Sequence, residues 1–99
     1  MIYEIATLTI KPGAEQAFEQ AVADAATFFQ ADKDCHSLKL ERVIETPGTY
    51  RLVVGWSSVD AHMVTFRESD NFQRWRELAG PHFARPPEVV HVEDVLTAF

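Results

Sequence analysis

Four histidines, two arginines near the middle of the chain and a set of aromatics carry most of the chemical potential of this sequence. His62 stands out. It follows Asp60-Ala61 and precedes Phe66 by four residues, so on a helix the two side chains share a face. A neutral imidazole beside aromatic walls can take a proton from a phenol or enol, and an unperturbed pKa of about 6.5 suits a general base at neutral pH. The plainer reading of His62 is a partly buried histidine with a backbone partner. His82 follows Gly80-Pro81 in a loop beside Phe83, where it would either border a pocket or sit in solvent. His91 lies between Val90 and Val92, placed to line a pocket or to contact a second subunit. Arg67 falls at the junction of two short helical stretches. There it would stabilise charge on a substrate oxygen, or pair with Glu68 or Asp70. Trp56, Phe66, Phe72, Trp75 and Phe83 come from the segment that should roof one face of a sheet. They read as core or as the lining of a pocket for a flat, aromatic ligand.

Other chemistries find little support. The histidines show no HxH, HxxxH or HExxH spacing, so no metal site is expected. Cys35 stands among Asp32, Asp34 and His36, and the neighbouring acids would raise its pKa, the wrong direction for a nucleophile. Gly13, Gly48, Gly55 and Gly80 are isolated, and no phosphate-cradling loop is present. Arg74 and Arg76 read as solvated helix positions, and Arg42 and Arg51 as cross-strand partners of Glu41 or Glu45.

The elements that must position these residues are legible from periodicity. Residues 2–10 read as a strand with Ile2, Ala6, Leu8 and Ile10 on one side, stopped by Lys11-Pro12-Gly13. Phe18, Ala21, Val22, Ala25, Phe28 and Phe29 then form a helical stripe ending near Gln30. Residues 37–45 and 50–56 predict a hairpin across Thr46-Pro47-Gly48-Thr49. Ser57 to Asp60 matches a capping-box pattern opening a helix through Phe66. Ser69 or Asp70 caps a further helix that Gly80-Pro81 ends, and residues 88–96 predict a last strand. The order β-α-β-β-α(α)-β is the ferredoxin-like α+β arrangement, a four-stranded antiparallel sheet with helices on one face, in one domain spanning residues 1–99. The opposite face, including Tyr3, Ile5 and one side of Leu52–Val54, would be left apolar in water. A homodimer is therefore expected.

Composition narrows the function classes. The 99 residues carry 15 acidic and 9 basic side chains, a formal charge of −6, which disfavours nucleic acid as a partner. No apolar run approaches the roughly 18 residues of a membrane span. Met1-Ile2-Tyr3-Glu4 has no basic leader region, and one cysteine makes no intrachain disulfide, so a cytoplasmic setting is expected.

Taken in order, Thr9-Ile10-Lys11-Pro12-Gly13 with the Phe18 helix, then Pro47-Gly48-Thr49-Tyr50-Arg51-Leu52-Val53-Val54 running into Trp56, carry a resemblance. Asp60-Ala61-His62, Ser69 with Phe72, and Pro86-Pro87-Glu88-Val89 complete it. The chain resembles the antibiotic biosynthesis monooxygenase family over essentially its whole length. The resemblance implies dimerisation through the sheets into an α/β barrel, with a pocket between sheet and helices in each subunit. Some members oxygenate polyphenolic or quinol-like compounds without metal or flavin; others degrade haem or isomerise metabolites. In the haem-degrading branch, an Asn, a Trp and a ligating His stand where this chain has Ala6, Phe66 and Trp75, which argues against haem. The expected function is a cofactor-independent monooxygenase of a small aromatic or enolisable substrate. In it His62 is the base, and Arg67, His82 or His91 stabilises charge on oxygen. A non-catalytic dimeric small-molecule binder and a metabolite isomerase remain the alternatives.

Overall fold

The computed structural model describes residues 1–99. Four strands, β1 (Ile2–Thr9), β2 (Cys35–Arg42), β3 (Thr49–Trp56) and β4 (Glu88–Val92), form one sheet in the order β2-β3-β1-β4. Every pairing is antiparallel. Helices α1 (Glu15–Gln30) and α2 (Asp70–Ala79) pack on one face, and between β3 and α2 runs a six-residue π-helical segment, Ala61–Phe66. This is the ferredoxin-like α+β arrangement expected from the element order.

Alternation along β1 sends Glu4, Ala6 and Leu8 to the helix-covered side, where all three are buried. Leu52, Val54 and Trp56 do the same from β3. The α1 stripe of Phe18, Ala21, Val22, Ala25 and Phe29 closes over them, with Phe29 in ring contact with Trp56, Phe66 and Trp75. Gly13 and Gly48 have φ of +86° and +81°, the left-handed conformation that glycine adopts without a Cβ clash. They turn the chain into α1 and across the β2–β3 hairpin.

Several boundaries differ from the sequence expectation. β2 begins at Cys35, with an irregularity between Cys35 and Ser37, and ends at Arg42. Thereafter Val43 N–H donates to the Thr49 carbonyl and the chain turns. Cys35 therefore opens a strand, and burial, more than the neighbouring acids, pushes its thiol up to about 11. β4 stops at Val92 rather than residue 96. Tyr3 pairs with Val92, so β1 has only Ile2 and Met1 left to offer beyond that point. Ahead of the π-helical segment, residues 59–60 are already helical, and Ser58 Oγ accepts from Ala61 N–H at 3.1 Å, while Asp60 at the segment's own N-cap makes no side-chain cap bond. Ser57 Oγ instead lies 2.6 Å from His36 Nε2. Ser69 caps α2, accepting from Phe72 N–H at 3.2 Å. Gly80 stays right-handed (φ −54°, ψ −40°), so α2 runs on into a 3-10 turn, Gly80–His82, instead of ending in a left-handed glycine. Arg42 pairs with Glu19 of α1 at 2.9 Å rather than with a strand acid.

Candidate active site

The inward phase of β1 places a carboxylate where the pattern otherwise calls for an apolar residue. Glu4 is 6% exposed, with Val54 of β3 on one side and His91 of β4 on the other as cross-strand neighbours. A buried carboxylate without partners would be strongly destabilising. Here Trp56 Nε1–H donates to Glu4 Oε1 at 3.1 Å, and His62 Nε2 lies 3.2 Å from the same oxygen. Glu4 Oε2 has no protein partner. It is not among the fully enclosed orphaned atoms, so it keeps contact with open space.

His62 is held from three directions. Its ring stacks on Trp56 with centroids 5.2 Å apart and planes 16° from parallel. Its Nδ1 is 2.8 Å from His91 Nε2. Its carbonyl accepts from Arg67 N–H at 3.1 Å, the five-residue step that defines the π winding. With Glu4 ionised, the hydrogen bonds run one way: His91 Nε2–H to His62 Nδ1, and His62 Nε2–H to Glu4 Oε1. With Glu4 protonated on Oε1, both reverse, because each imidazole carries one donor and one acceptor. The three side chains thus form a continuous path between a buried carboxyl and the half-buried His91 on the sheet's edge strand.

Burial pushes the Glu4 carboxyl up to about 7, against the opposing pull of the Trp56 hydrogen bond and the Arg67 charge. Burial also drives His62 down to about 4, assisted by His91 and Arg67. At neutral pH the imidazole is neutral, and the carboxyl is the group poised between its two states.

Glu4 and His62 open on a cavity of about 790 Å³ between sheet and helices. Leu8, Leu52 and Val89 line it from the sheet; Phe72, Trp75 and Phe83 line it from the opposite wall. Among the residues singled out from sequence, His62, Arg67, Phe72, Trp75 and Phe83 thus meet at one cavity. Trp56 and Phe66 lie outside its lining, in the core at 0% and 1% exposure, because Phe29 and the His62 ring cover them. His91 reaches the site only through His62. His82 is outside the lining; its carbonyl accepts from Lys11 N–H at 2.9 Å, and it shapes the turn after α2. Arg76 and Arg85 join the lining; Arg76 is exposed, as expected of a solvated helix position, and also borders the cavity. Glu4, too, belongs to the lining. Its signal was the acid in the run Ile2-x-Glu4-x-Ala6-x-Leu8, a charge in phase with buried positions.

No group of three His, Cys, Asp or Glu side chains is arranged to hold a metal ion. No helix is long and apolar enough to cross a membrane.

The sequence profile described as "Antibiotic biosynthesis monooxygenase" matches residues 1–78. The chain belongs to that family. A crystal structure of a Bordetella bronchiseptica protein assigned to the antibiotic biosynthesis monooxygenases superposes on this family member with a TM-score of 0.94. It is 49% identical and covers 96% of this chain and 97% of its own. A Caulobacter crescentus protein assigned likewise superposes with a TM-score of 0.82 at 26% identity, covering 96% of this chain and 90% of its own. SnoaB, a cofactor-independent oxygenase from Streptomyces nogalater, shares the fold of this monooxygenase-family chain with a TM-score of 0.83 at 18% identity, over 98% and 95% of the two chains. The Bacillus subtilis protein YczJ is 35% identical over 95 residues, 96% of this chain and all of its own.

Proposed function

We propose that this chain is a cofactor-independent monooxygenase of a small aromatic or enolisable substrate, with Glu4 as the proton acceptor. The observation that carries the reading is a buried carboxyl poised near neutrality whose free oxygen opens on an aromatic-walled cavity. Burial disfavours His62 as a cation, so in this reading Glu4 takes the place of His62, the base expected from sequence. His62 serves as the relay that orients Glu4. Family membership and the printed description of SnoaB support oxygen chemistry without a cofactor.

In this reading a phenolic or enolic O–H enters beside Glu4 Oε2 and gives up its proton. The resulting anion, shielded from bulk water in the inner part of the cavity, gives one electron to dioxygen. Recombination forms a carbon–peroxide bond. Loss of the remaining hydrogen on that carbon and cleavage of the O–O bond leave a carbonyl, and the second oxygen departs as water. For an anthrone-type CH2 the balance is substrate plus O2 to quinone plus H2O, all reducing electrons coming from the substrate. His62 and His91 carry the proton between Glu4 and the sheet edge.

The functional unit in this reading is a homodimer working in the cytoplasm. Tyr3, Ile5 and Val53 lie on the face opposite the helices, continuous with Val90 and Val92, which are 57% and 45% exposed. Val95, Leu96 and Phe99 add further exposed apolar surface in the terminal segment.

The test is oxygen uptake with anthrone and dihydroxynaphthalene substrates by wild type and Glu4→Gln. Uptake by wild type with loss in the variant supports the reading. Equal rates for the two would remove Glu4 from its role. Conversion that proceeds unchanged without oxygen would favour the isomerase, and binding with no conversion the sequestering protein.

A further inference from the structure

The cavity's inner and outer parts differ in chemistry. Glu4, Ala6, Leu8, Leu52, His62 and Trp75 are buried and line its inner part. Arg67, Arg76 and Arg85 line it too, and all three are exposed, which places them at the mouth. The chain as a whole carries −6 and has only nine cationic residues, yet a third of them gather at this one opening. None of the three makes an ion pair. The ion pairs of the molecule are Lys39–Glu41 and Arg42–Glu19, and Glu4 is met by His62 as a neutral imidazole. Arg67 and Arg76 instead share one aromatic ring, each with its guanidinium carbon 5.9 Å from the centre of Phe72. A cation–π contact of this kind consumes none of a guanidinium's N–H donors, leaving them free for a planar anion. Glu77 is the only acid of the lining besides Glu4, and it comes within salt-bridge distance of none of the three.

We infer that the ligand of this cavity is an acidic aromatic compound, whose carboxylate is received by Arg67, Arg76 and Arg85 while its ring lies between the apolar sheet wall and Trp75 and Phe83. This rests on the reading of the cavity as the substrate site and adds the substrate's charge to it. A carboxylate at the mouth matches the fork of a guanidinium, and the ring behind it replaces water on Leu8, Leu52 and Val89. The same cations draw an anionic ligand toward the opening of an otherwise acidic protein, an attraction that salt screens.

Two ligands of nearly equal ring area separate the charge from the ring: 3-hydroxy-2-naphthoate and 2-naphthol. Calorimetric titration of wild type at pH 7.5 should give at least about tenfold tighter binding of the carboxylate, the range of one charge-assisted hydrogen bond. The preference should shrink between 50 mM and 500 mM salt. It should vanish in the double variant Arg67→Gln/Arg76→Gln. Both positions are exposed, and an unchanged melting curve checks that the variant is folded. Arg74→Gln is the control, because Arg74 is on α2 outside the lining and donates to Asn71 at 3.1 Å. Equal binding of the two ligands, binding of neither, or a carboxylate preference that survives the double substitution would each overturn the inference. Binding is read without turnover, so the outcome is separable from the oxygenase reading. Carboxylate-selective binding with no oxygen uptake sinks the latter alone; oxygen uptake with no selectivity sinks the former alone.

Discussion

Glu4 and His91 are direct cross-strand neighbours on β1 and β4, yet their side chains communicate through a third residue from a different element. His62 descends from the π-helical segment and places one ring nitrogen on each of them, 3.2 Å from Glu4 Oε1 and 2.8 Å from His91 Nε2. The strand pairing fixes the two ends of the path, and the wide winding over Ala61–Phe66 sets the middle. Site, pH behaviour and stability all pass through this arrangement.

Glu4→Gln keeps the shape and the acceptor for Trp56 but removes the base. Oxygenation should fall on the order of 100-fold or more, the usual contribution of a positioned base. The wild-type kcat/KM should rise with pH through an apparent pKa of about 7, as Glu4 loses its proton. That limb should disappear from the residual activity of the variant. Initial rates between pH 5 and 9 check both points.

Trp56→Phe removes the donor that favours ionised Glu4. Loss of a hydrogen bond to the charged form raises a carboxyl pKa, so the rising limb should move above 7. Trp56 is fully buried, and its truncation should also cost about 1–3 kcal/mol in urea unfolding. A limb that stays in place would separate Trp56 from the electrostatics of the site.

His91→Phe should act through His62. The imidazole loses the partner of its Nδ1, a buried polar atom whose orphaning costs about 1–3 kcal/mol. Because His91 is outside the cavity lining, kcat should drop, roughly tenfold, with KM little changed. His91→Gln, which retains a donor and an acceptor, should recover part of the loss. A change confined to KM would contradict the positioning role.

Stability should respond to pH in opposite senses at the two buried groups. Glu4 has a folded pKa raised from 4.5 to about 7, so the folded state holds its proton longer. Its contribution is fully present below 4.5 and is lost as pH rises through 7. His62 has a folded pKa lowered from 6.5 to about 4, so its contribution is present above 6.5 and lost as pH falls through 4. The windows overlap, and in wild type the two slopes largely offset each other. Glu4→Gln should therefore become more stable as pH rises from 4 to 6.5. His62→Gln should become less stable as pH rises from 4.5 to 7. Urea midpoints across this range measure both. Parallel curves for the two variants would refute the assignment.

Val53 faces away from the helices and pairs with Ile5 on the apolar outer surface. Val53→Lys should convert the proposed dimer to a monomer without unfolding it, as read by sedimentation velocity. A wild-type monomer at micromolar concentration would remove the dimer from the functional reading.

Much of this protein is legible in local pattern. The period-2 alternation of β1 and β3, the Phe18-to-Phe29 stripe of α1 and the Pro-Gly turns specify the element order, because each is a property of neighbours in the chain. The grouping of His62, Arg67, Phe72, Trp75 and Phe83 around one cavity also follows from that order, since all come from the segments laid over the sheet. Strand ends were less visible. β4 stops at Val92 because β1 runs out, and only the pairing register reveals that. The role of Glu4 depended most on tertiary structure. Its acidity is set by burial, by a donor 52 positions away on Trp56 and by a histidine 58 positions away, none of which is a local property. Three arginines scattered over 19 residues likewise become one feature only when the end of the π-helical segment, α2 and the segment after α2 fold over the same opening. Residue types state which chemistry is available. Desolvation and proximity, which exist only once the chain is packed, decide which of those groups holds a proton at neutral pH.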